Sequence, residues 1–182
     1  MQVEQTEIPG LLILTPRRFG DSRGFFSESW NKRQMADHGL HYDFVQDNHS
    51  LSKQGTLRGL HYQIKQPQGK LVRATRGSVV DDAGDMRRSS PTEGQWSSCV
   101  LSAEKKNLFW VPPGFAHGFY VLSEEAEFQY KCTDLYAPEH ERTLIWNDPD
   151  IGIDWPLAEQ QAPLLSVKDK QGATLHNADC YS

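Results

Sequence analysis

Between residues 56 and 136 the chain runs as short segments of alternating apolar and polar residues, each closed by Gly, Pro or Ser. The segments read as strands at Leu57–Ile64, Lys70–Thr75, Ser78–Met86, Gln95–Leu101, Asn107–Val111, Gly118–Leu122 and Ala126–Tyr136. A period of two places successive side chains on opposite faces of a sheet. Turns this closely spaced leave few helices, so the pattern predicts an all-β sandwich, barrel or jelly roll. The flanks are consistent with it. Leu11-Leu12-Ile13-Leu14 follows Pro9-Gly10 and predicts a short strand near a sheet edge. Asp21 and Gly24 bracket a turn from which Phe25-Phe26 begin a strand. Residues 31–43 have mild helical spacing (Met35, Leu40), with Gly39 near the end. Phe44–Ser50 alternates again, and Gln46 and Asn48 fall on one face. Trp146-Asn147-Asp148-Pro149 and Trp155-Pro156 read as turns that plug a surface, and residues 163–170 predict a C-terminal helix capped by Ser166.

A length of 182 residues suits one domain over 1–182 with a full core, and no linker divides it. Hydrophobic residues make up 37% and charged residues 24%, as in a soluble globular protein. No apolar run approaches the roughly 20 residues that cross a bilayer, and Met1–Gln5 lacks the basic and apolar regions of a signal peptide. The expectation is a cytoplasmic protein with no membrane partner. Three cysteines, Cys99, Cys132 and Cys180, form no close pair, which argues against a disulfide framework or a cysteine-rich zinc site. A net charge of -5 argues against a nucleic-acid surface, but a local cluster of Arg and Lys could still hold a small anion.

Candidate chemistry centres on Leu57-Arg58-Gly59-Leu60-His61-Tyr62-Gln63. Histidine titrates nearest neutrality, so His61 is the candidate base. Strict alternation would send Arg58 and Leu60 to one face and His61 and Gln63 to the other, unless Gly59 makes a bulge. A base needs a carboxylate to hold its tautomer; Asp169 and Asp81 are both available, and spacing selects neither. Tyr130, in Glu127-Phe128-Gln129-Tyr130-Lys131, is the candidate acid. Its phenol ordinarily ionises near pH 10, and neighbouring cations would lower that value.

Pro112-Pro113-Gly114-Phe115-Ala116-His117 matches the second half of the cupin pattern. Metal-binding cupins also carry His-x-His and a Glu, where this chain reads His61-Tyr62-Gln63. A catalytic metal wants about three good ligands, so no metal is expected. Further motifs are Asp21-Ser22-Arg23-Gly24-Phe25-Phe26, Gln46-Asp47-Asn48-His49-Ser50, Gln68-Gly69-Lys70-Leu71-Val72-Arg73, Ser90-Pro91-Thr92, Pro113–Phe119 and Trp146-Asn147-Asp148-Pro149. In order and together they resemble the dTDP-4-dehydrorhamnose 3,5-epimerase family, from Ile8 to about Asp169.

That resemblance implies a cupin-like jelly roll and a dTDP-linked 4-keto-6-deoxyhexose as substrate, in dTDP-L-rhamnose biosynthesis. The ketone acidifies C3 and C5, and no cofactor is needed because the substrate is its own electron sink. By resemblance His61 is the base, Asp169 its orienting partner, Tyr130 the acid on the opposite face and Lys70 the cation for the enolate oxygen. Asp81 and His117 complete the polar lining. Arg23, Arg58 and Lys168 match cations near the diphosphate. Phe25, Glu28, Gln46, Asn48 and Glu141 match further nucleotide contacts, and Tyr136 matches an aromatic stacked on thymine. The family forms homodimers by strand exchange, with residues such as Arg23 and Glu28 able to serve the partner's site. The alternatives are a 3-epimerase or ketoisomerase on a related sugar, a binding module without activity, and a metal-dependent cupin dioxygenase. The chain also departs from the family. Asp82 and Gly84 stand where two valines are usual, which predicts either a wetter face or a hidden partner for Asp82. Arg142 stands where Gly is common.

Overall fold

Thirteen strands and one short helix account for most regular structure in the computed structural model, which describes residues 1–157 and 161–182. In chain order they are β1 (Gln2–Gln5), β2 (Leu12–Thr15), β3 (Arg18–Asp21), β4 (Gly24–Ser27), α1 (Lys32–Asp37), β5 (Gln46–Lys53), β6 (Leu57–Gln63), β7 (Lys70–Arg76), β8 (Ser78–Asp85), β9 (Trp96–Ser102), β10 (Leu108–Val111), β11 (Phe115–Val121), β12 (Glu125–Cys132) and β13 (Glu141–Thr143). Two sheets carry the fold, in the orders β1-β2-β10-β7-β12-β5 and β13-β6-β11-β8-β9. Their strands pair antiparallel throughout. From β5 to β8 the chain alternates between the sheets, and it does so again from β9 to β13, which is a jelly-roll path. The all-β, cupin-like expectation holds. β3 and β4 form a separate hairpin.

Of the seven strands read between residues 56 and 136, five fall within a residue of those observed. Two differ. β11 starts at Phe115 rather than Gly118. All its residues are buried, because sheet and covering segments close over both faces, so it shows no alternation to read. β12 ends at Cys132 rather than Tyr136, and the chain there turns away as Thr133 exchanges hydrogen bonds with Gly69. The helix predicted within 31–43 is six residues long. Asn31 caps it by accepting from the backbone N–H of Arg33 and Gln34, and Gly39 at φ +83° ends it. The C-terminal helix predicted at 163–170 reduces to a 3₁₀ turn at Asp169–Gln171.

Apolar side chains sit in three layers. Val72, Val79, Phe109, Phe119 and Phe128 belong to the cluster between the sheets. Leu57, Leu60, Met86, Tyr120 and Leu144 lie under the C-terminal segment, with Trp146 and Trp155 packed there as the sequence predicts. Leu14, Leu71 and Trp110 lie under Met35 of α1.

The second layer holds an anomaly. On β8, Val79 and Ala83 face the sandwich interior, so Asp82 and Gly84 face the other way. Asp82 is 1% exposed, and among the described residues neither carboxylate oxygen has a hydrogen-bond partner. The face is therefore closed to bulk solvent, and among the described residues Asp82 has no hidden partner. Burial, with the neighbouring Asp81 charge, pushes the Asp82 carboxyl up to about 8. A Cβ on Gly84 would meet nothing within 4 Å, so the same face is also underfilled.

The sign of the resulting pH dependence follows from linkage. The folded value lies above the unfolded one of about 3.9. The native state therefore holds a proton that the unfolded chain lacks, and stability falls as pH rises from about 4 to about 8. Asp82→Val is expected to stabilise the fold by about 1–3 kcal/mol near pH 6 and by more at pH 9. Urea denaturation of both proteins from pH 5 to 9 checks this; parallel stability profiles would show that Asp82 is not the origin.

Candidate active site

The space between the sheets divides along the strands. β7 presents Lys70, Val72 and Ala74 inward, and β12 presents Tyr130, Phe128 and Ala126. The apolar ends join the core, while the polar ends line an open cleft of about 600 Å³. Gln46, Asn48, Lys70 and Tyr130 line it from the six-stranded sheet, and Arg58, His61, Gln63, His117 and Glu141 from the five-stranded one. Lys168 and Asp169 arrive from the C-terminal segment.

Arg58 and His61 share this cleft because of a bulge. β11 pairs His117 with His61 but Phe119 with Arg58, so β6 carries one extra residue at that point. Gly59 is at φ +127°, and a Cβ there would lie 2.5 Å from Gly118 Cα and 2.8 Å from His117 O. A Cβ on Gly118 would lie 2.7 Å from Arg58 O. Two glycines thus let the strands approach closely enough for the bulge to form. Leu60 and Tyr62 turn to the outer layer, and Arg58, His61 and Gln63 turn inward.

Asp169 is the partner of His61, at 2.7 Å from Oδ1 to Nε2. It is held in turn by the Gly59 N–H at 3.3 Å and the Ser166 hydroxyl at 2.6 Å. Burial alone would raise the Asp169 carboxyl, but these donors hold it at about 2. An ionised carboxylate only accepts, so Nε2 carries the proton and Nδ1 is the basic nitrogen. Burial pushes the His61 imidazole below its ordinary value, against the pull of Asp169. Ser166 also accepts from the Asp169 N–H at 3.1 Å, but the turn starts after Lys168 without a side-chain cap, so Ser166 caps no helix.

Asp81 does not line the cleft. It is fully buried behind His117, whose Nε2 lies 2.9 and 3.0 Å from its two carboxylate oxygens. Burial pushes His117 well down and Asp81 well up. Lys70 is buried, donates to His61 O at 3.3 Å, and is pushed down by burial. Tyr130 stands on the wall opposite His61. Burial pushes its phenol up, against the expectation that cations would lower it. Lys131, next in sequence, points to the other face and pairs with Asp47 at 3.0 Å.

The far end of the cleft is a second network. Glu141 accepts from Lys168 Nζ at 2.8 Å and from the Tyr136 hydroxyl at 3.0 Å. Gln46 accepts from the Tyr136 N–H at 2.9 Å and donates to Asn48 at 3.1 Å. Gln63, which the sequence reading left without a role, donates to Leu135 O at 3.2 Å and accepts from the Ala137 N–H at 2.9 Å. It fixes the loop that presents Tyr136. Its place two residues after His61 on one strand was the available signal.

Arg23, Phe25 and Glu28 are not in this cleft. Arg23 and Phe25 belong to the β3–β4 hairpin, where Arg23 pairs with Asp21 at 2.6 Å. Phe25 is 57% and Phe26 69% exposed, and Glu28 accepts from Gln34. Among the described residues no group of three or more His, Cys, Asp or Glu side chains could hold a metal ion.

Comparison with known proteins gives the family of the chain. A family profile described as dTDP-4-dehydrorhamnose 3,5-epimerase matches residues 5–177. The chain belongs to the dTDP-4-dehydrorhamnose 3,5-epimerase family. A Pseudomonas aeruginosa dTDP-4-dehydrorhamnose 3,5-epimerase is 59% identical over 182 residues, covering 100% of this chain and 99% of the relative. Among solved structures, an epimerase from Legionella pneumophila, in complex with dTDP-4-keto-L-rhamnose, has a TM-score of 0.94 at 50% identity. It covers 98% of this chain and 94% of its own. A 3'-monoepimerase from Streptomyces bikiniensis, in complex with dTDP-quinovose, has a TM-score of 0.86 at 32% identity, covering 94% of this chain and 86% of that one. A 3,5-epimerase and a 3'-monoepimerase therefore share this fold.

NMR titration of ring nitrogens is expected to show His61 as the Nε2–H tautomer and to place its midpoint below pH 6.5. Asp169→Asn should shift that midpoint lower still, because the carboxylate favours the imidazolium. A midpoint above 6.5 would mean that the Asp169 charge outweighs burial.

Proposed function

We propose that the chain inverts C3 and C5 of dTDP-4-dehydro-6-deoxy-D-glucose, giving dTDP-4-dehydro-L-rhamnose for dTDP-L-rhamnose biosynthesis. The observation that carries the reading is the placement of a neutral His61 and a protonated Tyr130 on opposite walls of one cleft. Inversion requires that a proton leave one face of the sugar and another arrive on the opposite face. In this reading His61 Nδ1 takes the proton from the carbon next to the C4 ketone. The electron pair moves into an enolate, whose oxygen Lys70 stabilises where charge develops. Tyr130 then delivers a proton to the same carbon from the other side. Exchange with solvent returns His61 and Tyr130 to their starting states for the second centre. Asp169 holds the His61 tautomer, and His117, backed by Asp81, completes the polar lining.

The nucleotide takes the other end. Arg58 and Lys168 face the diphosphate, Tyr136 stacks on thymine, and Gln46, Asn48 and Glu141 supply polar contacts. Arg23, Phe25 and Glu28 act across a homodimer, reaching the partner's cleft by strand exchange. The exposed phenylalanines of the β3–β4 hairpin support that assignment, since within one chain more than half of Phe25 and Phe26 stays uncovered even with Lys106 over the Phe25 ring. A cytoplasmic location completes the reading; all three cysteines are free thiols.

The test is NMR in D₂O with dTDP-4-keto-6-deoxyglucose. Deuterium is expected at both C3 and C5. His61→Ala should lower turnover by about 10³-fold, and Tyr130→Phe should uncouple exchange from inversion. Deuterium at C3 alone would make the chain a 3-epimerase, and dTDP binding without exchange would make it a binding module. Sedimentation at micromolar concentration is expected to give a dimer; a monomer would remove the strand-exchange assignment.

A further inference from the structure

β13 is three residues long, lies at the edge of its sheet and pairs with β6 alone. Short edge strands are the first parts of a sheet to fray. Yet β13 carries Glu141, the carboxylate that holds Tyr136 and Lys168 together. What steadies it lies on the opposite face. Arg142 Nε donates to the Asp179 carboxylate at 2.7 Å, and its NH1 donates to Glu141 O at 2.9 Å and Glu139 O at 3.3 Å. Tyr62, paired with Arg142 across the strands, donates to Asp179 O at 2.5 Å. Asp179 is thus gripped at both its side chain and its backbone, and one guanidinium spans the tail, the strand and the turn before it.

We propose that Arg142 and Asp179 form a latch that positions Glu141, making Arg142 a positioning residue for the nucleotide end of the cleft. Arg142 touches neither His61 nor Tyr130 and acts on binding alone. The planar fork matters: Arg can serve a carboxylate and two carbonyls at once, whereas Lys presents a single point charge. The latch rests on the dTDP-sugar reading given above.

Both side chains are partly exposed, and exposed ion pairs add little to global stability. Arg142→Ala and Asp179→Asn are therefore expected to melt with the wild type. Each should raise KM and the dTDP Kd about tenfold while leaving kcat unchanged. The double variant should be no worse than either single one, because both break one unit. Arg142→Lys should fall between. Calorimetric titration with dTDP, beside steady-state kinetics, reads all of this. Unchanged KM and Kd, a fall in kcat, or additive losses in the double variant would overturn the latch and leave the epimerase reading intact. A wild type that neither binds dTDP nor turns over the sugar would overturn that reading first, and the latch with it.

Discussion

The close approach of β6 and β11 at Gly59 and Gly118 is the constraint on which the cleft depends. Backbone meets backbone there with no room for a Cβ on either side. That contact admits one extra residue into β6, and the extra residue reverses the facing of everything after it. Without it, Arg58 would face the cleft while His61 and Gln63 faced the apolar layer under the C-terminal segment. The Gly59 N–H, released from regular pairing, is one of the donors that fix Asp169. One local irregularity thus sets both the direction of the base and the grip on its partner.

Burial governs the chemistry inside that frame. Desolvation is the largest influence on His61, Lys70, His117 and Tyr130. It favours the uncharged form of each. A neutral imidazole and a protonated phenol are the forms that proton transfer requires. The charge kept beside His61 is on Asp169, where four donors from Gly59, His61 and Ser166 converge. Asp82 shows the same force without compensation: a carboxyl with no donors, driven to hold its proton.

Much of this was legible in the residues. Turn-punctuated alternation is a local signal, and it located the strands and the sandwich. Gln46 and Asn48 were correctly put on one face by period two. What escaped were effects that depend on distant chain. The facing of His61 hinges on Gly118. The choice of Asp169 over Asp81 hinges on where the C-terminal segment lands. The Tyr130 phenol was misjudged because its burial, which distant chain imposes, outweighs the nearby Arg58 charge. Arg23 and Phe25 on the β3–β4 hairpin, and Glu28 just after it, lie outside the cleft of their own chain, so the geometry of one chain gives them no site.

The Asp169 network also bears on timing. The sandwich strands end at β13, whereas the carboxylate that orients His61 belongs to a segment well downstream. Chains emerge from the ribosome N-terminus first, so the central strands leave it before Ser166 and Asp169 do. A nascent epimerase at that stage has its base but nothing to fix its tautomer. Catalytic competence therefore waits on the segment that brings Ser166 and Asp169.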